Sequence, residues 1–445
     1  MIAIVGGGVS GLAAAYELAA RDIPFVLLEA SGRLGGLVHT ERVNGYIIEG
    51  GADSMLAQKR TALDLCAELG LSNQLIAARE PRTAFVLHRG RLYRLPSPSV
   101  FGLPITFSGV LGYRLLSPLG RARLALEPVV RRQPTTDESI GAFFRRRFGR
   151  QAADRIAQPV LGGIHAGDID TLSLRTLAPR LAAVEARGSV LRWLRRTVVI
   201  DPQGPFRTLA SGMGQLVDTI RTTLPMDAVR LNCRVTRLRP GWRLETTEGE
   251  IQCDGVIIAA PAYVAAEILA DVDPEIAALC SQTAYVSTVA VALAFPRTAI
   301  RHRLNGSGFV VARKTNKLRI TACTWASSKF EGRAPEGQVL LRAYLGGAHD
   351  PDAVNLSDEE LVDVSLRNLS KVLSIKGNPE FARVFHWPMA GAQHDVAQSA
   401  RVAAIQRRLA LHHGLFVTGS GFRVTGVPDC IFDGRRTAIT AMGQI

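Results

Sequence analysis

Apolar positions form short runs and helical spacings that alternate from the first residues onward. Ile2-Ala3-Ile4-Val5 is an apolar run of the buried-strand type. Gly6-Gly7-Gly8-Val9-Ser10-Gly11 opens a helical pattern through Leu12, Tyr16 and Ala19, and Phe25-Val26-Leu27-Leu28 predicts a second strand closing at Glu29. This is a βαβ opening. A helix over 55–76, ending near Gly70, and a hairpin over 84–95 turning at Arg89-Gly90 follow. From 96 to 200 helical signals dominate, broken by prolines at 96, 98, 104, 118, 128, 134, 159 and 179. Beyond 205 the pattern is mixed again. It predicts a helix over 211–224, strands at 229–231, 235–238, 243–246, 256–259, 286–295 and 338–345, and a helix over 357–373. A strand at 415–417, a glycine-rich loop and a helix from Pro428 close the chain.

The 445 residues are 47% hydrophobic and 21% charged, which supplies a sizeable core and excludes disorder as the main state. At about 150 residues per domain, this length suggests two to three domains. The net charge is +14, and 96–200 alone holds 16 Arg, no Lys and 7 acidic residues. Such a balance suits an anionic partner: a membrane surface or an acidic small molecule. Nucleic acid is not expected, because aromatics are only 6% and no binding module is present. The cysteines at 66, 233, 253, 280, 323 and 430 form no C-x-x-C pair, so neither a disulfide framework nor a zinc site is expected. His386, His394, His412 and His413 lack metal-ligand spacing. No signal peptide and no run of 18 apolar residues is evident, so a cytoplasmic protein with at most peripheral membrane attachment is expected.

Gly6-x-Gly8-x-x-Gly11 between a strand and a helix suits a pyrophosphate, which the free N–H groups and positive end of the helix would hold. Glu29 stands 18 residues after Gly11, where an acid can bind a ribose hydroxyl pair and repel a 2′-phosphate. Arg33-Leu34-Gly35-Gly36 and Gly50-Gly51-Ala52-Asp53-Ser54 would let a longer cofactor run along the backbone, favouring FAD over NAD. Near the other end, Thr418-Gly419-Ser420-Gly421 leads to Gly426-Val427-Pro428, a second helix start with proline in its first turn. Aimed at a flavin edge, it would stabilise the reduced anion.

In these motifs the chain resembles the FAD-dependent protoporphyrinogen/coproporphyrinogen oxidases of the flavin amine oxidase group. The resemblance spans essentially the whole sequence. It is most specific at ESIGAFFRRRFG (138–149), PVLGGIHAGDIDTLSL (159–174), ITACTW (320–325), APEGQVLLRAYLGG (334–347) and GVPDCIFDG (426–434). It implies an α/β fold with a discontinuous Rossmann-like FAD-binding domain (1–78, 201–262, 389–445). A mixed-sheet substrate domain (79–95, 263–388) and a mainly helical, basic, membrane-contacting domain (96–200) complete it.

The resemblance carries Gly6, Gly7, Gly8, Val9, Ser10 and Gly11 onto the pyrophosphate and Glu29 with Ala30 onto the adenosine ribose. Arg33, Gly36, Leu37, Gly51, Ala52, Asp53 and Ser54 would follow the cofactor towards the flavin. Val235 would meet the adenine, and Thr425, Gly426 and Val427 the isoalloxazine. Gly163 matches the glycine whose carbonyl faces the tetrapyrrole nitrogens. The implied reaction oxidises a porphyrinogen to a porphyrin in heme biosynthesis. Six electrons leave in three rounds, with O2 as acceptor and H2O2 released, and no side chain is nominated as a general base. A metal-inserting enzyme would act downstream. Coproporphyrinogen III is the favoured substrate, protoporphyrinogen IX the alternative, and an amine or polyene a more distant one.

One departure concerns propionate recognition. Several family members carry an arginine where this chain has Ala84; Arg82, read as lying on the same strand face, is the nominated substitute. His165, inside the 159–174 block, is a candidate substrate contact. Arg145-Arg146-Arg147 with Phe143, Phe144 and Phe148 reads either as a membrane-surface patch or as a solvated helix face above core phenylalanines. Trp325 and Tyr344 lie in strand patterns as core or pocket wall.

Overall fold

The computed structural model describes residues 1–131, 133, 137–185, 188–199, 201–313 and 316–445; Pro134 and the end of the basic segment at 200 lie outside them. A five-stranded parallel sheet runs in the order Val229–Arg230, Phe25–Leu28, Ile2–Val5, Gly255–Ile258, Leu415–Val417. Every residue of its three central strands is buried, as continuous apolar runs covered on both faces should be. One face packs the helices Val9–Ala19, Gly214–Thr223 and Val427–Met442. The other packs Ala262–Leu269, Pro274–Ser281 and a three-stranded antiparallel sheet over 235–252. The first and last helices cross closely because Gly434 has no side chain: a Cβ there would lie 2.2 Å from the Ser10 carbonyl oxygen. Distant stretches of chain therefore share one sheet and one core.

A second, seven-stranded sheet runs Phe381–Gln393, Ala284–Pro296, Gln338–Gly346, Ala322–Trp325, Gly308–Val311, Ala84–His88, Arg91–Arg94. All its pairs are antiparallel except Gly308–Val311 with Ala84–His88. Helix Asp358–Leu373 closes one face. Trp325 is fully buried there, opposite Leu341, while Tyr344 of the neighbouring strand pairs with Ala322 and packs on the other face of the sheet. The α/β architecture, with a parallel sheet, a mixed sheet and a mainly helical segment, is the one the family resemblance implies.

The helical segment packs its own core against Val86, Val310 and Ala312 of the mixed sheet. Phe143, Phe144 and Phe148 belong to that core. The patch reading of this block is corrected: the phenylalanines are not available to dip into lipid, and all three arginines are ion-paired. Arg145 pairs with Asp170 at 2.6 Å, Arg146 with Glu138, and Arg147 with Glu127, both members of the last pair fully buried. The Glu127 carboxylate also accepts from Val190 N at 2.9 Å and Ser189 Oγ at 2.6 Å. Losing one member of such a pair strands a buried charge, at a cost of about 3–5 kcal/mol. The same segment contains a π-helical stretch, Ala153–Gly162, with Pro159 inside it. Among the described residues no helix is long and apolar enough to cross a membrane.

Predicted and observed elements differ at several places. Only Thr61–Glu68 of the 55–76 helix is α-helical, because Met55–Leu56 instead pairs as a strand with 206–207. Strand Phe381–Gln393, which contains Pro388, has no counterpart among the predicted elements. It lies at the sheet edge, and its pairing shifts register around that proline, where the missing N–H removes no ladder bond.

Candidate functional site

At the carboxyl ends of the parallel strands, the first turn, the Glu29 loop and the C-terminal glycine loop converge. Gly8 caps the first helix with no side-chain hydrogen bond to its free N–H groups. A Cβ on Gly6, Gly7 or Gly11 would press into protein, the last 1.9 Å from Gly6 O; at Gly8 it would meet nothing within 4 Å. The open space therefore lies directly before the helix N-terminus, and a pyrophosphate fits there. The Glu29 carboxylate accepts from Gly7 N at 2.7 Å and from Ser31 N and Oγ at 2.8 and 2.6 Å, which fixes it beside the turn. Ala30 beside it is exposed. Gly419 approaches from the C-terminal loop, where its Cβ would stand 3.4 Å from Ser10 Oγ.

The next stretch is held by paired backbones. Gly35 N donates to Gly7 O at 2.8 Å, and Ala52 N donates to Leu37 O at 3.1 Å. Arg33 donates to Gly36 O at 2.7 Å and lies over the Trp387 ring, while Trp387 Nε1 donates to Gly50 O at 2.9 Å. Leu37 is left 44% exposed. Asp53 is fixed by Lys329 at 2.8 and 2.9 Å and by Ser54 Oγ at 2.6 Å. Burial alone would raise its pKa, but the Lys329 and Arg342 charges hold it well below the usual carboxylate range. Arg342, itself buried, donates to Glu49 O at 2.7 Å and Gly51 O at 2.9 Å and so pins the strip from beneath. Gly426 caps helix Val427–Met442, with Pro428 in its first turn. Asp429 of that turn is ion-paired to Lys59.

Beside this cradle lies a cleft, partly open to solvent, between the end of the π-helical stretch and the mixed sheet. Gly162, Gly163, Val311, Arg313, Thr321 and Gly346 are among its lining residues. Gly163 is exposed, and a Cβ there would have ordinary room, 3.8 Å from Val310 Cγ1. Burial lowers the pKa of His165 to about 4, with the His394 and Lys59 charges adding to the effect, so its imidazole is neutral near pH 7. Gln393 Nε2 donates to His165 O at 3.0 Å, and the next residue, His394, donates through Nε2 to Ser420 O at 2.8 Å, so the Gly163–His165 turn lies beside the C-terminal glycine loop.

Known proteins match the chain over essentially its whole length. The model of the flavin containing amine oxidoreductases matches residues 9–441. The chain belongs to that family. This flavin oxidoreductase is 35% identical to a coproporphyrinogen III oxidase of Bacillus subtilis (strain 168), over 99% of this chain and 97% of that protein. It is 32% identical to a coproporphyrinogen III oxidase of Staphylococcus aureus (strain NCTC 8325 / PS 47), over 100% and 99% of the two chains. A crystal structure from Exiguobacterium sp. 255-15, described as a protoporphyrinogen oxidase candidate, superposes with a TM-score of 0.89 at 30% identity, covering 100% and 99% of the two chains.

In this flavin oxidoreductase the first glycine turn, Glu29 and the strip around Gly35 are joined by hydrogen bonds, and two further residues stand apart. Val235 is buried at the start of the antiparallel sheet. Arg82 is corrected: it lies before strand Ala84–His88, not on its face. Its guanidinium donates to Ala78 O at 2.8 Å and Pro202 O at 2.7 Å and pairs with Glu80 at 3.0 Å, so its donors bind this chain. Sequence reasoning missed Lys59, Lys329, Arg342 and Arg313. Arg342 stands inside the apolar run 338–345, and a charge in a central strand is a signal that it has a buried task. The other three carry no local signal.

Proposed function

We propose that this chain binds FAD and oxidises coproporphyrinogen III to coproporphyrin III in heme biosynthesis, passing six electrons to O2 with release of H2O2. The observation that carries this reading is the cleft beside the cofactor cradle, which the exposed backbone of Gly163 lines. The names of the full-length bacterial relatives support it. FAD would supply the hydride acceptor and its reoxidation by O2. The turn Gly6–Gly11 would hold the pyrophosphate, Glu29 the ribose, and the strip from Arg33 to Ser54 the ribityl chain. The N-terminus of the last helix, Thr425 to Val427, would face the isoalloxazine. The shared sheet supports a cofactor unit drawn from 1–78, 201–262 and 389–445. A substrate unit would come from 79–95 and 263–388, and a helical unit from 96–200.

The chain's own part is to bind, orient and exclude water. Gly163 lets the macrocycle approach the backbone, where its carbonyl can accept from pyrrole N–H groups. Neutral His165 adds a hydrogen-bonding edge without a cation near the ring. Asp53, kept ionised by Lys329 and Arg342, fixes the strip beneath the cofactor rather than moving a proton. Attachment to the inner face of the membrane and transfer of product to a metal-inserting enzyme belong to the same reading.

Anaerobic mixing of the holoprotein with coproporphyrinogen III and, separately, protoporphyrinogen IX tests it. Rapid bleaching of the flavin is expected with both, faster with the former at equal subsaturating concentration. Faster bleaching by protoporphyrinogen IX reverses the substrate assignment. No bleaching by either refutes porphyrinogen oxidation.

A further inference from the structure

The polar side chains around the cleft are mostly engaged. Gln158 donates to Gly167 O at 3.1 Å and accepts from Ile169 N at 3.2 Å, and Thr321 donates to Tyr344 O at 3.2 Å. Arg319 nearby is held by both oxygens of Asp350, at 3.0 and 2.8 Å. Arg313 is different. It follows strand Gly308–Val311 directly, lines the cleft and is half-buried, yet its guanidinium makes no hydrogen bond or ion pair with any described residue. Burial lowers its pKa, Asp350 opposes this, and the Arg319 charge lowers it further. Asp350 is already committed to Arg319. A partly desolvated cation without a partner is unfavourable in the free protein, and an anion entering the cleft relieves that cost.

We propose that Arg313 is a substrate-binding residue that receives a carboxylate arm of the macrocycle, the planar fork pairing with both carboxylate oxygens. This rests on the porphyrinogen reading. It differs from the position where relatives carry an arginine, Ala84. The parallel register pairs Gly308 with Ala84 and Val311 with Leu87, so Ala84 opens one end of the strand pair and Arg313 follows the other. The two positions therefore serve different parts of a substrate rim. An unpaired arginine at this end also explains how a cleft with few charged side chains can hold a polyanion.

The test compares wild-type holoprotein with Arg313→Gln and Arg313→Lys. It measures flavin content, steady-state turnover of coproporphyrinogen III, and binding of the product coproporphyrin III and its tetramethyl ester by fluorescence. Arg313→Gln should keep its flavin, raise KM and weaken coproporphyrin III binding by roughly 10- to 100-fold, with kcat changed little. Arg313→Lys should recover part of the loss, since it restores the charge but not the fork. Both variants should bind the uncharged ester as wild type does. Unchanged coproporphyrin III binding in Arg313→Gln, or an equal loss with acid and ester, overturns the assignment. Should the wild type turn over no porphyrinogen, the proposed function fails, while the binding measurements still decide whether Arg313 holds a carboxylate.

Discussion

Gly8 and His165 show how single positions carry the site. The space before Gly8 is open, so a side chain there would leave the protein contacts intact and enter the anion's place. Gly8→Val is expected to purify folded and colourless; a yellow variant with an unchanged flavin spectrum would remove the pyrophosphate from this turn. His165 makes a prediction about pH. Its pKa is about 4 in the folded protein, against an ordinary value of 6.5, so between these values the unfolded chain binds more protons. Stability is therefore unaffected above about pH 6.5 and falls as the pH drops towards 4. His394, also lowered by burial, acts in the same direction. The fall in Tm between about pH 7 and 5 should be shallower in His165→Gln than in wild type. Equal slopes would mean that His165 is protonated in the folded protein as easily as in the unfolded chain.

At the scale of elements, the π-helical stretch Ala153–Gly162 places glycines of two kinds in succession. A Cβ on Gly162 would strike Gln158 Nε2 at 2.4 Å, whereas one on Gly163, which lines the cleft, has room. Gly163→Val should therefore fold and keep its flavin, but displace the macrocycle. An offset of about 1 Å can cost on the order of 100-fold in kcat/KM. Wild-type turnover by this variant would move the substrate away from the π-helical end. Element by element, the hydrophobic runs at 2–5, 25–28, 84–95, 338–345 and 357–373 identified their structures from sequence. Phe381–Gln393 escaped because an edge strand tolerates proline and needs no alternation, and Met55–Leu56 because its partner lies about 150 residues away.

For the whole molecule, charge is the property most changed by folding. The basic excess of 96–200 suggested a membrane surface, but Arg145, Arg146 and Arg147 are consumed by carboxylates. Arg114, Arg131, Arg192, Arg195 and Arg196 remain exposed, as do Phe107, Leu119 and Val129, which are 63%, 82% and 77% exposed. Each basic residue near an anionic bilayer contributes about 1 kcal/mol, so a few suffice for weak, salt-sensitive association. Cosedimentation with anionic vesicles at low salt should show it, lost at high salt. Binding to neutral vesicles of equal strength, or none at low salt, refutes the electrostatic attachment.

By itself the sequence determined the cofactor half of this protein. A glycine turn, an acid at a strand end and a proline-started helix are local devices whose spacing along the chain already encodes their geometry. Only the tertiary structure decided which charged side chains are paired around the cradle and the cleft. Lys59 meets Asp429, Lys329 meets Asp53, and Arg82 is tied to Ala78 and Pro202 while Arg313 is left unpaired among the described residues. Those outcomes depend on which side chains the two sheets and the helical segment bring together across hundreds of residues. An ion pair or an unpaired cation is a property of that neighbourhood, not of the residue.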